Sequence, residues 1–301
     1  MNIEEFTLKD IGAPLLLTIE VTNNCNLNCK YCYNRGSNNE LNIIDFKKIL
    51  CDAKEMHIFD ISISGGEPFI HNDIIELIKL TKQMDFDISI VTNGTKISQM
   101  IAKELQNIDI IKDIQVSFDS HIANIHNKTR DSYYDALRGF INLCEQNMNI
   151  EMNPSVGIVI NKLNFSTLHE TISYFSKYTK RFHFMNVMKS KDLSLSNNDK
   201  DIFSKEIVPL LLTIKNEKGL QFSFELNKCS SKEIDIHINC LAGLTVLVIS
   251  ADLEIYPCDM ARNKIDVWDG FGSLAKAFKK SKEKWINLDR PWCEKEELFN
   301  Q

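Results

Sequence analysis

From about residue 13 the chain alternates β-like runs with longer amphipathic segments, and no other feature constrains the fold as much. Strands in such a series are joined by right-handed helical crossovers and pair in parallel, which predicts an α/β fold. Six strand candidates stand out: Pro14–Thr22, Phe59–Ser64, Ile88–Thr92, Ile114–Phe118, Ser155–Ile160 and Phe182–Val187. Each has the β-branched and aromatic enrichment of a buried strand. Between them, the segment Asp131–Gln146 shows helical periodicity, with Leu137, Phe140 and Cys144 recurring at three- and four-residue steps. That spacing turns Cys144 toward the core, and Cys51, seven residues after Ile44, is read as lying on an apolar helix face.

After Gly219 the alternation stops. Short strands follow at Leu220–Glu225, Leu244–Ser250 and Glu254–Tyr256, the last two forming a hairpin around Ala251-Asp252. No Pro- or Gly-rich linker separates the parts, so the C-terminal segment is expected to pack closely on what precedes it. At 301 residues the chain has room for one large α/β domain with an appendage. Its 35 Lys and Arg against 41 Asp and Glu give a net charge of -6, which disfavours a nucleic-acid partner. Residues 1–10 lack a basic start followed by an apolar run, and the most apolar stretch, Leu241–Ala251, is too short to cross a bilayer. A cytoplasmic protein with no membrane association is the expectation.

Nine cysteines in such a chain point to metal ligation or redox chemistry rather than a disulfide framework. Three fall within eight residues just after the first strand, in Cys25-Asn26-Leu27-Asn28-Cys29-Lys30-Tyr31-Cys32. Thiolates so placed suit zinc or an iron–sulfur cluster. A structural zinc site would close its fourth position, and no Cys or His lies nearby to do so, the next histidine being His57.

Cys-x3-Cys-x2-Cys with an aromatic before the third cysteine, following the first strand of a βα series, resembles the radical S-adenosylmethionine (SAM) superfamily. The resemblance implies a partial (β/α)6 TIM-like barrel, with Cys25, Cys29 and Cys32 holding a 4Fe-4S cluster whose fourth iron binds SAM. It extends to Ser64-Gly65-Gly66-Glu67-Pro68 at the end of the second strand, where Gly65 and Gly66 permit close approach and Glu67 is expected to accept from the SAM ammonium. Thr92-Asn93-Gly94-Thr95 closes the third strand, and Ser117-Phe118-Asp119 with His126 and Arg130 follows the fourth. By resemblance Tyr31, Asn93, Ser117 and Arg130 join the SAM site, with Arg130 on the carboxylate. Asp119 and His126 read equally well as structural residues. All these signals fall at carboxyl ends of strands, where α/β sheets gather ligands.

Near the end, Cys240-Leu241-Ala242-Gly243, then Pro257-Cys258 and finally Cys293 resemble the twitch and SPASM extensions that bind auxiliary clusters, with Leu253 where the family carries glycine. The resemblance implies residues 1–12 as an N-terminal extension, 13–218 as a radical SAM core and 219–301 as a module. That module would bind one auxiliary iron–sulfur cluster through Cys240, Cys258 and Cys293. A fourth ligand could come from Cys229, Glu296 or the substrate. The implied activity is reductive SAM cleavage and hydrogen abstraction from a peptide or protein side chain, with electrons from a flavodoxin- or ferredoxin-type reductant. Dehydrogenation of a small-molecule alcohol such as an aminocyclitol is the second reading. A non-catalytic iron–sulfur or zinc scaffold is the third. No residue is assigned as general base, and oligomeric state is not readable.

Overall fold

The computed structural model describes residues 11–33, 37–146, 154–187, 190–224 and 241–286. Seven strands follow one another in parallel: β1 (Leu16–Thr22), β2 (Asp60–Gly65), β3 (Asp87–Thr92), β4 (Ile111–Ser117), β5 (Ser155–Ile160), β6 (Arg181–Asn186) and β7 (Gln221–Phe224). Each pairs with its neighbour in sequence. Helices α1 (Ile43–Glu55), α2 (Ile74–Gln83) and α3 (Gln99–Gln106) make the first three crossovers. α4 (Ala123–Thr129) and α5 (Tyr133–Gln146) share the fourth, α6 (Leu168–Phe175) makes the fifth, and α7 (Asn197–Ile202) and α8 (Val208–Lys218) the sixth.

The strands were legible because they are buried: every residue of β5 and all but the first of β1 fall in the interior. Phe118 at the end of β4 packs on Phe140 of α5 and Phe175 of α6, with ring centroids 5.7 and 4.7 Å away. Cys144 is partly buried against this core, and burial pushes its thiol up to about 12. Cys51 differs from the expectation. Ile44 is 67% exposed, and Cys51 lies in a surface groove with Ile43, Ile44 and Phe271.

The segment expected to begin a separate set of short strands also differs, since β7 adds to β6 as a further parallel strand of the same sheet. At the opposite flank β8 (Val246–Ile249) pairs in parallel with β1, and β9 (Glu254–Tyr256) and β10 (Asp266–Val267) follow antiparallel. The expected hairpin around Ala251-Asp252 is β8–β9, and one ten-stranded sheet runs β10-β9-β8-β1-β2-β3-β4-β5-β6-β7.

Helix α9 (Ser273–Ile286) closes the described chain. Its N-terminal amides need acceptors, and Asp52 of α1 supplies them from a fully buried position. Its carboxylate accepts from Gly272 N (2.8 Å), Leu274 N (3.0 Å) and Trp268 Nε1 (3.1 Å). Asp252 in the β8–β9 turn makes a second tie, accepting from Asn23 Nδ2, Ser37 Oγ and Asn39 Nδ2 in the loop after β1. The C-terminal segment is thereby fastened beside the cysteine loop.

Candidate active site

The cysteine loop rests on backbone. Gly66 N donates to Thr22 O (2.7 Å) and Glu67 N to Asn24 O (2.8 Å), so the turn after β2 lies directly against the start of the loop after β1. A Cβ on Gly65 would stand 2.3 Å from Thr22 O, and one on Gly66 only 2.0 Å from Asn24 O. Both glycines are therefore required by close approach, and Gly65 also has φ +135.

Glu67 is placed differently from the SAM contact expected of it. Its side chain is fully buried and does not line the cavity described below. The carboxylate instead accepts from Thr92 Oγ1 (2.7 Å), Asn93 N (2.6 Å) and Phe69 N (3.1 Å), tying the ends of β2 and β3. Burial raises its pKa, and these three donors oppose the rise. Asn93, so fixed, donates through Nδ2 to Asn26 Oδ1 (3.1 Å) and approaches Cys25 Sγ at 3.9 Å. Asn26 Nδ2 in turn donates to Thr95 Oγ1 (2.8 Å).

The other end of the loop is held from β4 and α4. Tyr31 Oη donates to Asp119 Oδ2 at 2.5 Å, and the same oxygen accepts from Thr129 Oγ1 at 2.5 Å. Arg130 Nε donates to Asp119 Oδ1 (3.0 Å), its guanidinium lies 5.3 Å over the Tyr31 ring, and Lys30 N donates to Thr129 O (2.9 Å). Asp119 is the buried hub of this network. His126 stands behind it, buried, with Nε2 donating to the carbonyl of Asp131 (3.1 Å) and Nδ1 accepting from Asp119 N (3.4 Å). Burial lowers its pKa to about 4, so the ring is neutral and structural.

A third brace comes from the C-terminal segment. Arg262 forms a bidentate pair with the buried Glu20 of β1 and is sandwiched between Tyr33, 4.3 Å away, and Tyr256, 4.9 Å away. Tyr33 directly follows Cys32.

Above these braces opens a cavity of about 340 Å³. It is bordered by Cys25, Cys29, Cys32 and Tyr31, then Gly65, Gly66, Asn93, Ser117 and Arg130. Sequence reasoning missed, among the other lining residues, Gln115 of β4, His183 of β6, Ser223 of β7, and Asp259 with Met260 just after Cys258. Polar residues spaced two apart in otherwise apolar strands were the available signal. Cys258 is half-buried, and its Sγ accepts from Ala261 N (3.3 Å). Cys240 and Cys293, with Cys229 and Glu296, lie outside the described residues.

Burial pushes the Cys25 thiol up to about 11, with nearby Glu67 and the other two thiols adding to the rise, and it raises Cys29 as well. Such thiols ionise when a cationic centre binds them. Among the described residues no three ligands gather round a single ion, whereas a cuboidal cluster takes its thiolates on separate irons. The donor set fits a polynuclear iron–sulfur centre facing the cavity.

The family model of the radical SAM superfamily matches residues 19–175, more than half of the chain, which therefore belongs to that superfamily. Its α/β sheet is the partial TIM-like barrel of such proteins. The mycofactocin maturase MftC of Mycobacterium tuberculosis (strain CDC 1551 / Oshkosh) is 29% identical over 181 residues, covering 58% of this chain and 45% of the maturase. The PqqA peptide cyclase of Bradyrhizobium diazoefficiens is 25% identical over 170 residues, 55% of this chain and 44% of the cyclase. The chain thus spans about half the length of these curated relatives. The crystal structure of Streptococcus suis SuiB bound to S-adenosylmethionine superposes with a TM-score of 0.71 at 18% identity, covering 89% of this chain and 64% of SuiB. Among the described residues no helix is long and apolar enough to cross a membrane.

Proposed function

We propose that the chain is a radical SAM enzyme that abstracts hydrogen from a peptide or protein side chain. The observation that carries this reading is the cavity itself, where three thiols braced from β2, β3 and β4 share one wall with the glycine turn, Asn93, Ser117 and Arg130. When bound, a 4Fe-4S cluster and SAM would supply the radical chemistry needed for hydrogen abstraction from an unactivated carbon. The residues of this chain position and enclose. Cys25, Cys29 and Cys32 hold the cluster, and the backbone of Gly65 and Gly66 admits SAM at close range. Ser117 and Asn93 meet its polar groups. Arg130 would pair with its carboxylate while Asp119 keeps the guanidinium aligned. Glu67 acts one step back, by fixing Asn93.

A peptide substrate is supported by the relatives' own chemistry: one is named a peptide cyclase, and SuiB has been crystallised with its precursor peptide SuiA. Residues 219–301 are proposed to hold one auxiliary iron–sulfur cluster through Cys240, Cys258 and Cys293, with Cys258 placed beside the cavity-lining Asp259 and Met260. A one-electron reductant of flavodoxin or ferredoxin type completes the scheme, in the cytoplasm.

The test is anaerobic incubation with SAM and dithionite, together with peptides translated from short open reading frames flanking the gene. Formation of 5′-deoxyadenosine and a modified peptide are expected, with two hydrogens lost for crosslinking or oxidation and an inverted carbon at unchanged mass for epimerisation. Stimulation by an aminocyclitol alcohol and by no peptide would establish the small-molecule reading instead. No 5′-deoxyadenosine above a Cys25→Ala control would leave only a scaffold.

A further inference from the structure

Across the inner wall of the sheet, one register row joins Ser117 of β4 to Gly157 of β5, His183 of β6 and Ser223 of β7. Ser117, His183 and Ser223 all border the cavity that carries the three cysteines. Gly157 leaves room for the side chain of Gln115, since a Cβ there would stand 2.5 Å from Gln115 Nε2. His183 Nε2 lies 3.2 Å from Asp113 Oδ2, and His183 Nδ1 lies 2.8 Å from Ser223 Oγ. A carboxylate can only accept, so the proton sits on Nε2. In the neutral ring Nδ1 then accepts from the Ser223 hydroxyl. Asp113 is itself held, accepting from Ser155 Oγ at 2.8 Å and pairing with Arg181 at 3.1 Å. The order hydroxyl, imidazole, carboxylate is that of a serine activated by a charge-stabilised histidine. Nothing in the positioning of SAM or the cysteines uses it, and Ser223 is exposed to the cavity side.

We propose that Ser223, His183 and Asp113 form a proton-accepting relay on the cavity wall, which takes the proton a substrate group X–H loses as the substrate is oxidised. This rests on the hydrogen-abstracting reading above. In the step, X–H gives its proton to Ser223 Oγ while the serine's own proton passes to His183 Nδ1, so X–H and neutral imidazole become X⁻ and imidazolium. The single electron that leaves the substrate radical goes to an iron–sulfur acceptor, and none passes through the relay. Asp113 is a positioning residue that fixes the tautomer. The substrate class it selects is one with an ionisable hydroxyl, thiol or amide hydrogen beside the abstracted carbon.

Three readouts on the reconstituted full chain test this. A fluorophosphonate probe should label Ser223, at a rate at least tenfold lower in His183→Gln. ¹⁵N spectra of labelled histidine should show His183 protonated on Nε2, with that preference lost in Asp113→Asn. With a peptide substrate, His183→Gln and Ser223→Ala should keep 5′-deoxyadenosine formation within about twofold while modified peptide falls by about 10²-fold or more, the usual worth of a positioned base. Absence of Ser223 labelling, labelling indifferent to His183→Gln, or full product yield from that variant would each overturn the relay. Absence of 5′-deoxyadenosine from the wild-type chain would instead overturn the enzymatic reading, and the labelling result would stand apart from it.

Discussion

Tyr31 and Asp119, 88 positions apart in the chain, meet in a 2.5 Å hydrogen bond that fastens the cysteine loop to the end of β4. The acceptor is a fully buried carboxylate that also carries Arg130 and Thr129. Removing the phenol in Tyr31→Phe takes away one charge-assisted bond, which is expected to cost about 1.5–3 kcal/mol. Asp119→Asn leaves Arg130 without its carboxylate and should cost more, about 3–5 kcal/mol. Denaturant midpoints check the order, and iron bound per chain after anaerobic reconstitution should fall in the same order.

Gly66→Ala makes a sharper prediction. The added methyl would stand 2.0 Å from the carbonyl oxygen of Asn24, and the nearest atoms are all backbone of Asn23 and Asn24, with no flexible side chain to move. The variant should lose iron at the three-cysteine site even where it stays soluble. Iron content and cluster absorbance equal to wild type would show that the turn after β2 does not support the loop.

His126 gives a dependence on pH. Its pKa is about 4 in the folded chain, below the ordinary value of 6.5, because burial disfavours the cation. The unfolded chain therefore binds the proton more readily, and stability falls as pH drops from about 6.5 toward 4. At pH 5 the loss from this group is about 2 kcal/mol. His126→Gln should flatten the slope of unfolding free energy between pH 7 and 5 by that amount, and an unchanged slope would contradict the burial argument.

Asp52 fastens the C-terminal segment. Asp52→Ala leaves Trp268 Nε1 and Leu274 N, both buried, and the more exposed Gly272 N without their acceptor and should cost about 2–4 kcal/mol. Limited proteolysis should then cut first near residues 268–273. Asp252→Ala, whose partners are exposed to water, should do much less.

The parts of this architecture legible in the sequence were those written locally. Strands β1 to β6 are apolar runs, and the cysteine spacing and glycine pair sit on contiguous residues. Strand β7 reads as the start of a separate set because the strand–helix alternation stops after Gly219, yet its alternating Gln221, Phe222 and Ser223 are also what an edge strand of the main sheet looks like. Glu67 reads as a ligand contact by resemblance and because a carboxylate beside a glycine turn can accept from an ammonium group. Its burial is imposed by Thr92 and Asn93, 25 and 26 residues on. Leu253 shows the converse. Where the resemblance to twitch and SPASM extensions leads one to expect glycine, it adopts φ +62 and packs against the core. The row of Ser117, His183 and Ser223 was hidden because only strand register aligns residues that lie so far apart in sequence.

Cys25, Cys29 and Cys32 are proposed to hold a cluster with one iron left for SAM. Mössbauer spectra of the ⁵⁷Fe-reconstituted chain, recorded with and without SAM, distinguish that arrangement from a fully protein-ligated cluster. One iron of the four in the three-cysteine cluster should change its isomer shift when SAM is added, and that response should vanish in Cys25→Ala. Four irons that are alike with and without SAM, each already held by sulfur, would contradict it.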